Sequence, residues 1–209
     1  MNRAYHFVSL PHGLDDLRRR HLKIALLDEL NDPFELWAVA QPDRHLRQAL
    51  KATKEEMARQ CGLLCFSLDR NNPLLWSHYA DRHRGLALGF DVDEQIMRRV
   101  FYRKDRPILK TVDVEVSNWL LFTKYEDWRY EQEARIFTSL KDRDPETGLY
   151  FADFSEQLIL REVIAGPLCT APEQDLREST GSISGVQFTK ARLAFNTFDV
   201  VTNQRGFRD

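Results

Sequence analysis

Glu131 and Glu133 stand two residues apart, flanked by Arg129 and Arg135, in the segment Lys124-Tyr-Glu-Asp-Trp-Arg-Tyr-Glu-Gln-Glu-Ala-Arg-Ile-Phe137. Read as a strand, alternate residues point to opposite faces. The four charged residues then share one face, and Trp128, Tyr130, Gln132, Ala134 and Ile136 share the other. Two carboxylates between two guanidiniums form either a poised polar site, with perturbed acidities, or a solvated strand surface that neutralises itself. In both cases Glu133 is an exposed residue, and Glu133→Gln is expected to leave the fold near native.

A second cluster is Trp76-Ser-His-Tyr-Ala-Asp-Arg-His-Arg-Gly85, which packs Trp, Ser, two His, Tyr, Asp and Arg into ten residues. Tyr79 could stack a flat ring, and His78 or His83 could donate to a carbonyl or phosphate. The same residues also suit a helix with one aromatic buried face and polar caps. A third pattern, Cys61-x3-Cys65-x12-His78-x4-His83, has the ligand spacing of a Cys2His2 zinc site. It is read as fortuitous, and no metal is expected. Asp69 sits where a finger needs its core aromatic, and Gly62 to Ser67 reads as a buried strand. The two histidines, five apart, would point about 140° from each other on a helix. The sequence contains no GxxxxGK[ST], GxGxxG or GxSxG pattern, no HxH or HExxH.

The elements that must carry these residues follow from periodicity and turn chemistry. Tyr5–Ser9 reads as a first strand, Leu14–Arg20 as a short amphipathic helix, and Leu22–Leu27 as a second strand. Asn31-Asp-Pro-Phe-Glu35 is a turn, because Pro33 moves Asp32 out of the helical region. A polar helix runs from Arg44 to Gln60, and Gly62–Ser67 is a strand. Leu74–Asp81 is a helix, Gly85–Asp91 a strand, and Asp93 opens a helix to Val100. Pro107–Leu109 is extended, Val112–Thr123 is helical, Leu158–Ala165 is a strand, Pro172–Ser179 a helix, and Val186–Phe198 one or two closing strands. The interleaving without a βαβ rhythm predicts an α+β fold, a single domain over residues 1–209. No repeat or linker interrupts it.

Composition narrows the function classes. With 30 Lys+Arg, 32 Asp+Glu and a net charge of -2, the total charge carries no nucleic-acid or membrane footprint. No apolar run reaches the ~18 residues of a bilayer span, and the first residues lack a signal segment, so a cytoplasmic location with no membrane partner is expected. Three cysteines, Cys61, Cys65 and Cys169, are too few for a disulfide framework. They read as reduced, mostly buried thiols.

Four motifs resemble an uncharacterised bacterial family, domain-of-unknown-function family 2971: Asn31-Asp-Pro-Phe-Glu35, Cys65-Phe-Ser67, Leu75–Gly85 with Gly89-Phe-Asp91, and Lys124-x3-Trp-Arg-Tyr-Glu-Gln-Glu-Ala-Arg-Ile136. More distantly, the order of Tyr5-His6-Phe7, the following helix and strand, and Tyr130-Glu-Gln-Glu-Ala-Arg-Ile-Phe137 resembles the ADP-ribosyltransferase-like fold, in particular enzymes that modify DNA. That resemblance implies a mixed or antiparallel split sheet with flanking helices. It implies NAD as a consumed substrate. His6 would hold the nicotinamide-side ribose. Glu133 would bond its 2′-hydroxyl and stabilise the oxocarbenium-like charge. Glu131 would orient or deprotonate the acceptor. Tyr79 or Phe66 would stack on nicotinamide, and His78 and Arg135 complete the set assigned to the dinucleotide. The chain lacks a tyrosine at the middle motif and the Ser-Thr-Ser triplet of that group.

Two functions follow as expectations. One is an NAD-consuming transferase or glycohydrolase in a toxin or phage-defence setting, with a nucleic-acid or protein acceptor. The other is a ligand- or partner-binding module without catalysis. A metal-dependent hydrolase ranks below both.

Overall fold

The computed structural model describes residues 1–35, 38–40, 43–108 and 114–207. Two compact units form, each from separated stretches of chain. The first comprises Met1–Leu22, Phe66–Ile96 and Ala152–Asp209, the second Lys23–Cys65 and Met97–Phe151. The chain passes between them at strands: within β2 (His21–Lys23), within β4 (Cys61–Ser67), at the start of β6 (Met97–Arg99) and within β10 (Phe151–Asp153). Strand residues carry no Gly, Ser or Pro enrichment, so no linker marks these passages in the sequence.

In the first unit, β5 (Leu86–Val92) lies between β1 (Asn2–Val8) and β11 (Leu158–Ala165), antiparallel to both. Having neighbours on each side, it reads as a nearly continuous apolar run, buried from Leu86 to Phe90. β12 (Gln187–Leu193) runs parallel to β11 through the crossover helix α5 (Glu173–Thr180). β13 (Val200–Thr202) adds antiparallel to β12. Helix α1 (Leu10–Arg19) starts with Pro11 in its first turn and ends at Arg20, which is left-handed at φ 58°. It contributes buried Leu17, and α5 contributes Leu176. On the opposite face, α3 (Pro73–Tyr79) drives Trp76 edge-on against Phe7 at 5.1 Å, over Ala87, Ile164 and Ala191. A bulge at Arg161 brings Tyr5, Gly89 and Glu162 into one cross-strand row. A Cβ on Gly89 would come within 3.0 Å of the Glu162 Cβ.

The second unit packs α2 (Arg44–Gln60) and α4 (Val114–Leu121) around Leu27, Val39, Leu50, Leu63, Leu120 and Leu121. Asp43 caps α2, its carboxylate accepting from the backbone N–H of His45 and Leu46 at 2.8 and 3.0 Å. β3 (Ala25–Leu26) pairs with β4, which neighbours β9 (Glu133–Ser139), which pairs with β6. β7 (Phe101–Arg103) and β8 (Thr123–Tyr125) form a parallel pair.

The α+β class is as expected, and β4, α2, α3, β5, β11 and α5 lie within two residues of their predicted bounds. Three expectations are corrected. Leu22–Leu27 breaks into β2 and β3, the Ile24 amide turning aside to bond Tyr150 O at 2.8 Å. The predicted helix from Asp93 is a turn capped by the Asp93 side chain, followed by β6. The charged strand from Lys124 is β8, then a 3-10 helix (Glu126–Glu131), then β9. The break falls at Gln132, which sits left-handed at φ 43° and donates its N–H to Arg129 O. Val112 and Asp113 of the predicted helix, and Leu109 of the predicted extended piece, lie outside the described residues.

Candidate functional site

The turn at Gln132 redirects the acidic pair. Glu131 ends the 3-10 helix and Glu133 opens β9, and both side chains point inward, 4% and 6% exposed. The exposed, self-neutralising strand face is therefore overturned for these two residues. Arg129 alone remains outside, clasping Glu126 through two bonds of 2.7 Å.

Lys124, buried on β8, donates to Glu131 Oε2 at 2.6 Å and to Glu133 Oε2 at 3.2 Å. Arg135, 1% exposed, grips Glu133 with Nε and Nη2 at 2.7 and 2.9 Å. Its Nη1 and Nη2 reach Glu35 at 2.7 and 3.0 Å, and Nη1 also donates to Leu121 O at 2.7 Å. The Cys65 thiol hydrogen-bonds Glu133 as well. A carboxylate has about four lone-pair sites. Arg135 takes two of them and Lys124 one. The Glu133 amide donates to the Tyr102 hydroxyl at 2.8 Å.

These contacts fix the charge states. Burial pushes the Glu133 carboxyl up, but Arg135 and Lys124 overcome that and hold it at about 2. Burial lowers the Lys124 and Arg135 pKa values, and the facing glutamates raise both above their ordinary values. Tyr102 is pushed up to about 12 by burial and by its acidic neighbours. Cys65 is raised by burial first and by Glu133 second, which leaves the thiol protonated and unreactive.

Above this network lies a cavity of about 170 Å³ lined by Phe34, Arg103, Lys104, Arg106, Lys124 and Tyr125, with Ala38 and Asp105. Two local structures build it. In the Asn31–Glu35 turn, Asp32 Oδ1 accepts from the Phe34 N–H at 2.9 Å, and the Glu35 N–H donates to Asp32 O at 3.0 Å. This sends the Phe34 ring outward, 52% exposed, and the Glu35 carboxylate inward to Arg135. The β7–β8 register sets Arg103 beside Tyr125 and Tyr102 beside Lys124. The Arg106 guanidinium stacks on Phe34 with its carbon 4.3 Å from the ring centre, and Arg103 lies 5.7 Å from the Trp119 ring. Stacking occupies a guanidinium's face and leaves its edge N–H groups to donate. Among the described residues, no carboxylate is in ion-pair contact with Arg103, Lys104 or Arg106.

In the first unit, the structure brings His6 and Phe66 together, ring centres 5.9 Å apart, on the face that also holds Phe90. Tyr79 and His78, 6.0 Å apart, stand on α3, which covers the opposite face. The sheet thus separates the histidine of β1 from the α3 tyrosine, and Phe66 is the aromatic beside it. Glu131, Glu133 and Arg135 belong to the other unit. The Trp76–Gly85 segment forms α3 from Trp76 onward and the turn that follows it. Trp76 Nε1 donates to Arg70 O at 2.7 Å, and Asp81, Arg82 and His83 are all left-handed, at φ 44°, 53° and 71°. His83 N–H and Gly85 N–H return to Trp76 O and Ala80 O to close the turn. Burial lowers the His83 pKa.

Cys61 and Cys65 lie four residues apart on one strand, which sets them roughly 13 Å apart, too far to share a tetrahedral ion. Among the described residues, no group of three His, Cys, Asp or Glu side chains could hold a metal. No helix among them is long and apolar enough to cross a membrane.

Residues 75–136 match the model of a protein family of unknown function, DUF2971. The match includes α3 from Leu75 onward and its left-handed turn, the Arg103–Arg106 run, Lys124, Glu131, Glu133 and Arg135. No curated protein and no solved structure matches the chain. In the sequence, Phe34, Arg103, Lys104 and Arg106 carry no assigned role. The signal available for the three cations was the Arg103-Lys-Asp-Arg106 charge run, which precedes Pro107.

Proposed function

We propose that this protein binds a small phosphorylated molecule in the cavity of its second unit, and that the buried glutamates hold the site rather than react. The observation that carries this reading is the pairing of Arg103, Lys104 and Arg106 with the Phe34 and Tyr125 rings over a lysine already neutralised from below. Lys124 shares its charge with Glu131 and Glu133, so attraction for an anion comes from the three outer cations, opposed by Asp105. Guanidinium forks match phosphate oxygens in pairs, and aromatic walls accept a flat ring or the apolar side of a sugar. A volume of about 170 Å³ is below the ~300 Å³ of sites that enclose drug-sized ligands. The cavity suits a phosphate and its immediate substituent, with the remainder of a larger ligand lying outside.

Calorimetric titration and thermal shift with inorganic phosphate, ribose 5-phosphate, AMP and NAD test the proposal. Saturable binding is expected for the phosphorylated ligands, weakened at least about tenfold by Arg103→Ala combined with Arg106→Ala. Equal affinity in that double variant, or no stabilisation by any of the four ligands, refutes it. NAD belongs to this ligand class. The transferase chemistry implied by the motif order remains a proposal on sequence grounds. Nicotinamide release by purified protein, lost in Glu131→Gln or Glu133→Gln with folding intact, would support it. For Glu133 to accept a ribose hydroxyl, that hydroxyl must compete with the three N–H donors of Arg135 and Lys124.

A further inference from the structure

The cations of the phosphate cavity belong to a longer row. Between Arg98 and Arg106 stand five cations, Arg98, Arg99, Arg103, Lys104 and Arg106, and one acid, Asp105. The net charge of -2 over the whole chain conceals this concentration. All five cations are exposed. Among the described residues, no carboxylate is in ion-pair contact with any of them. Two further acids lie nearby. Glu126 is clasped by Arg129 and also attracted by Lys104, and Asp127 accepts from the Tyr125 hydroxyl. With Arg129 counted, six cations face three carboxylates, which leaves a surplus of three positive charges.

Aromatic rings support the row. The Arg98 guanidinium lies 5.5 Å from the centre of the Phe122 ring, Arg103 5.7 Å from Trp119 and Arg106 4.3 Å from Phe34. The Phe122 N–H donates to Trp119 O at 3.1 Å, so the first two stacks adjoin at the end of α4. On β7, Phe101 and Arg103 share the outer face, while the Tyr102 hydroxyl accepts the Glu133 N–H on the inner one. Phe101 is 64% exposed, and its N–H donates to Phe122 O at 2.7 Å, beside the Arg98 stack. A path thus leads from the cavity past Tyr125 and Arg103 to Phe101 and Arg98. Extended, the segment from Arg98 to Arg106 spans about 26 Å, well beyond one phosphate and its substituent.

Building on the phosphate reading of the cavity, we propose that this row binds single-stranded nucleic acid. One phosphate enters the cavity, and the strand continues across Phe101 to Arg98 and Arg99. Stacked guanidiniums keep their edge N–H groups for phosphate oxygens. Every base has a π-face for Phe101 or Tyr125, and the cations between the rings meet the backbone. A duplex keeps those base faces stacked on each other. An acidic peptide would meet the charges but leave the open rings of Phe34, Phe101 and Tyr125 unused.

Fluorescence anisotropy with labelled 12-nucleotide dT and rU strands, a 12-base-pair duplex as competitor, and calorimetry with AMP test this on the full chain. At 50 mM NaCl the single strands should bind at least about tenfold more tightly than AMP, with the duplex competing weakly. Five phosphate contacts, at about 0.7 each, predict a log–log salt slope of about −3.5, a loss of roughly 100-fold between 50 and 200 mM. Arg98→Ala combined with Arg99→Ala lies outside the cavity. It should weaken strand binding at least about tenfold, flatten the slope by about 1.4 and leave AMP affinity unchanged. Phe101→Ala should weaken strand binding about 5- to 100-fold. All three side chains are exposed, so native circular dichroism is expected for both variants. Failure of AMP to bind overturns the phosphate reading and the strand together. Where AMP binds, strands no tighter than AMP, a preferred duplex, or strand affinity indifferent to both variants overturns the strand alone. Displacement by a 12-residue polyglutamate as effective as by unlabelled dT overturns it as well. Binding of either strand supports it, and the tighter of the two identifies the polymer as DNA or RNA.

Discussion

Replacing Arg135 by methionine should destabilise the second unit by about 3–5 kcal/mol, the range for removing one partner of a buried ion pair. The side chain is 1% exposed and answers two carboxylates, Glu35 and Glu133, across four bonds of 2.7–3.0 Å. Methionine fills much of the volume but leaves both glutamates to be held by other groups. Glu133 keeps Lys124, while Glu35 loses both of its bonds from the guanidinium. The pH dependence separates this mechanism from simple loss of packing. In the native protein Glu133 is depressed from 4.5 to about 2. A depressed carboxylate contributes stability that is present above pH 4.5 and lost as pH falls through about 2. At about 1.4 kcal/mol per pKa unit, the drop corresponds to roughly 3 kcal/mol. In Arg135→Met, Glu133 loses the larger of the two charges that hold it down while its burial remains, so acidification from pH 6 towards 4 should recover stability instead of removing it. Urea unfolding followed by circular dichroism, at pH 7, 6, 5 and 4, measures both effects. A cost below about 1 kcal/mol at pH 7, or the same acid response as the native protein, would refute the claim that this network is a buried, charge-balanced strut.

Asp16, buried on α1, is raised from 3.8 to about 7 by burial and by neighbouring Asp15. A raised carboxyl costs stability as pH climbs from about 4 to 7, so Asp16→Asn should stabilise the protein at pH 8 by about 1–3 kcal/mol and have little effect at pH 4. Denaturant midpoints at the two pH values check this, and equal shifts at both would contradict it. A methyl group at Gly85 would sit 2.1 Å from the Val8 carbonyl oxygen, in backbone that cannot move without breaking the β1–β5 ladder. Gly85→Ala should therefore cost about 3 kcal/mol by thermal unfolding. Trp76→Phe removes the donor to Arg70 O and part of the ring packed on Phe7, for about 1–2 kcal/mol.

Elements governed by local chemistry were legible in the sequence. α2 announces itself through its helix formers and the Asp43 cap, and β5 through a run that is apolar because strands flank it on both sides. The segment around Glu131 was not legible, because its alternation is broken by one residue in a left-handed conformation. Gln132 is not a residue type that signals such a turn, as Gly or Asn would. Without that break Glu131 and Glu133 point outward in any strand reading, and Glu133→Gln looks harmless. Buried between Lys124 and Arg135, Glu133 makes the substitution costly. The Asn31–Glu35 turn was read as a turn, yet its division of labour, with the Phe34 ring outward and the Glu35 carboxylate inward, depends on Arg106 and Arg135, 72 and 100 residues away. The Phe195 and Phe198 pair, placed in closing strands, proves to sit in the loop between them.

The interleaved order of segments has a consequence for biosynthesis. β5 is flanked by β1, which leaves the ribosome before it, and by β11, which begins 66 residues after β5 ends. Until β11 emerges, one edge of that greasy strand is open to any passing chain. The intervening Met97–Phe151 contributes to the other unit and must find partners in Lys23–Cys65, made long before. Neither half can ripen early while its neighbour waits, so nascent chains stalled between residues 97 and 151 are the ones most in need of chaperone shelter.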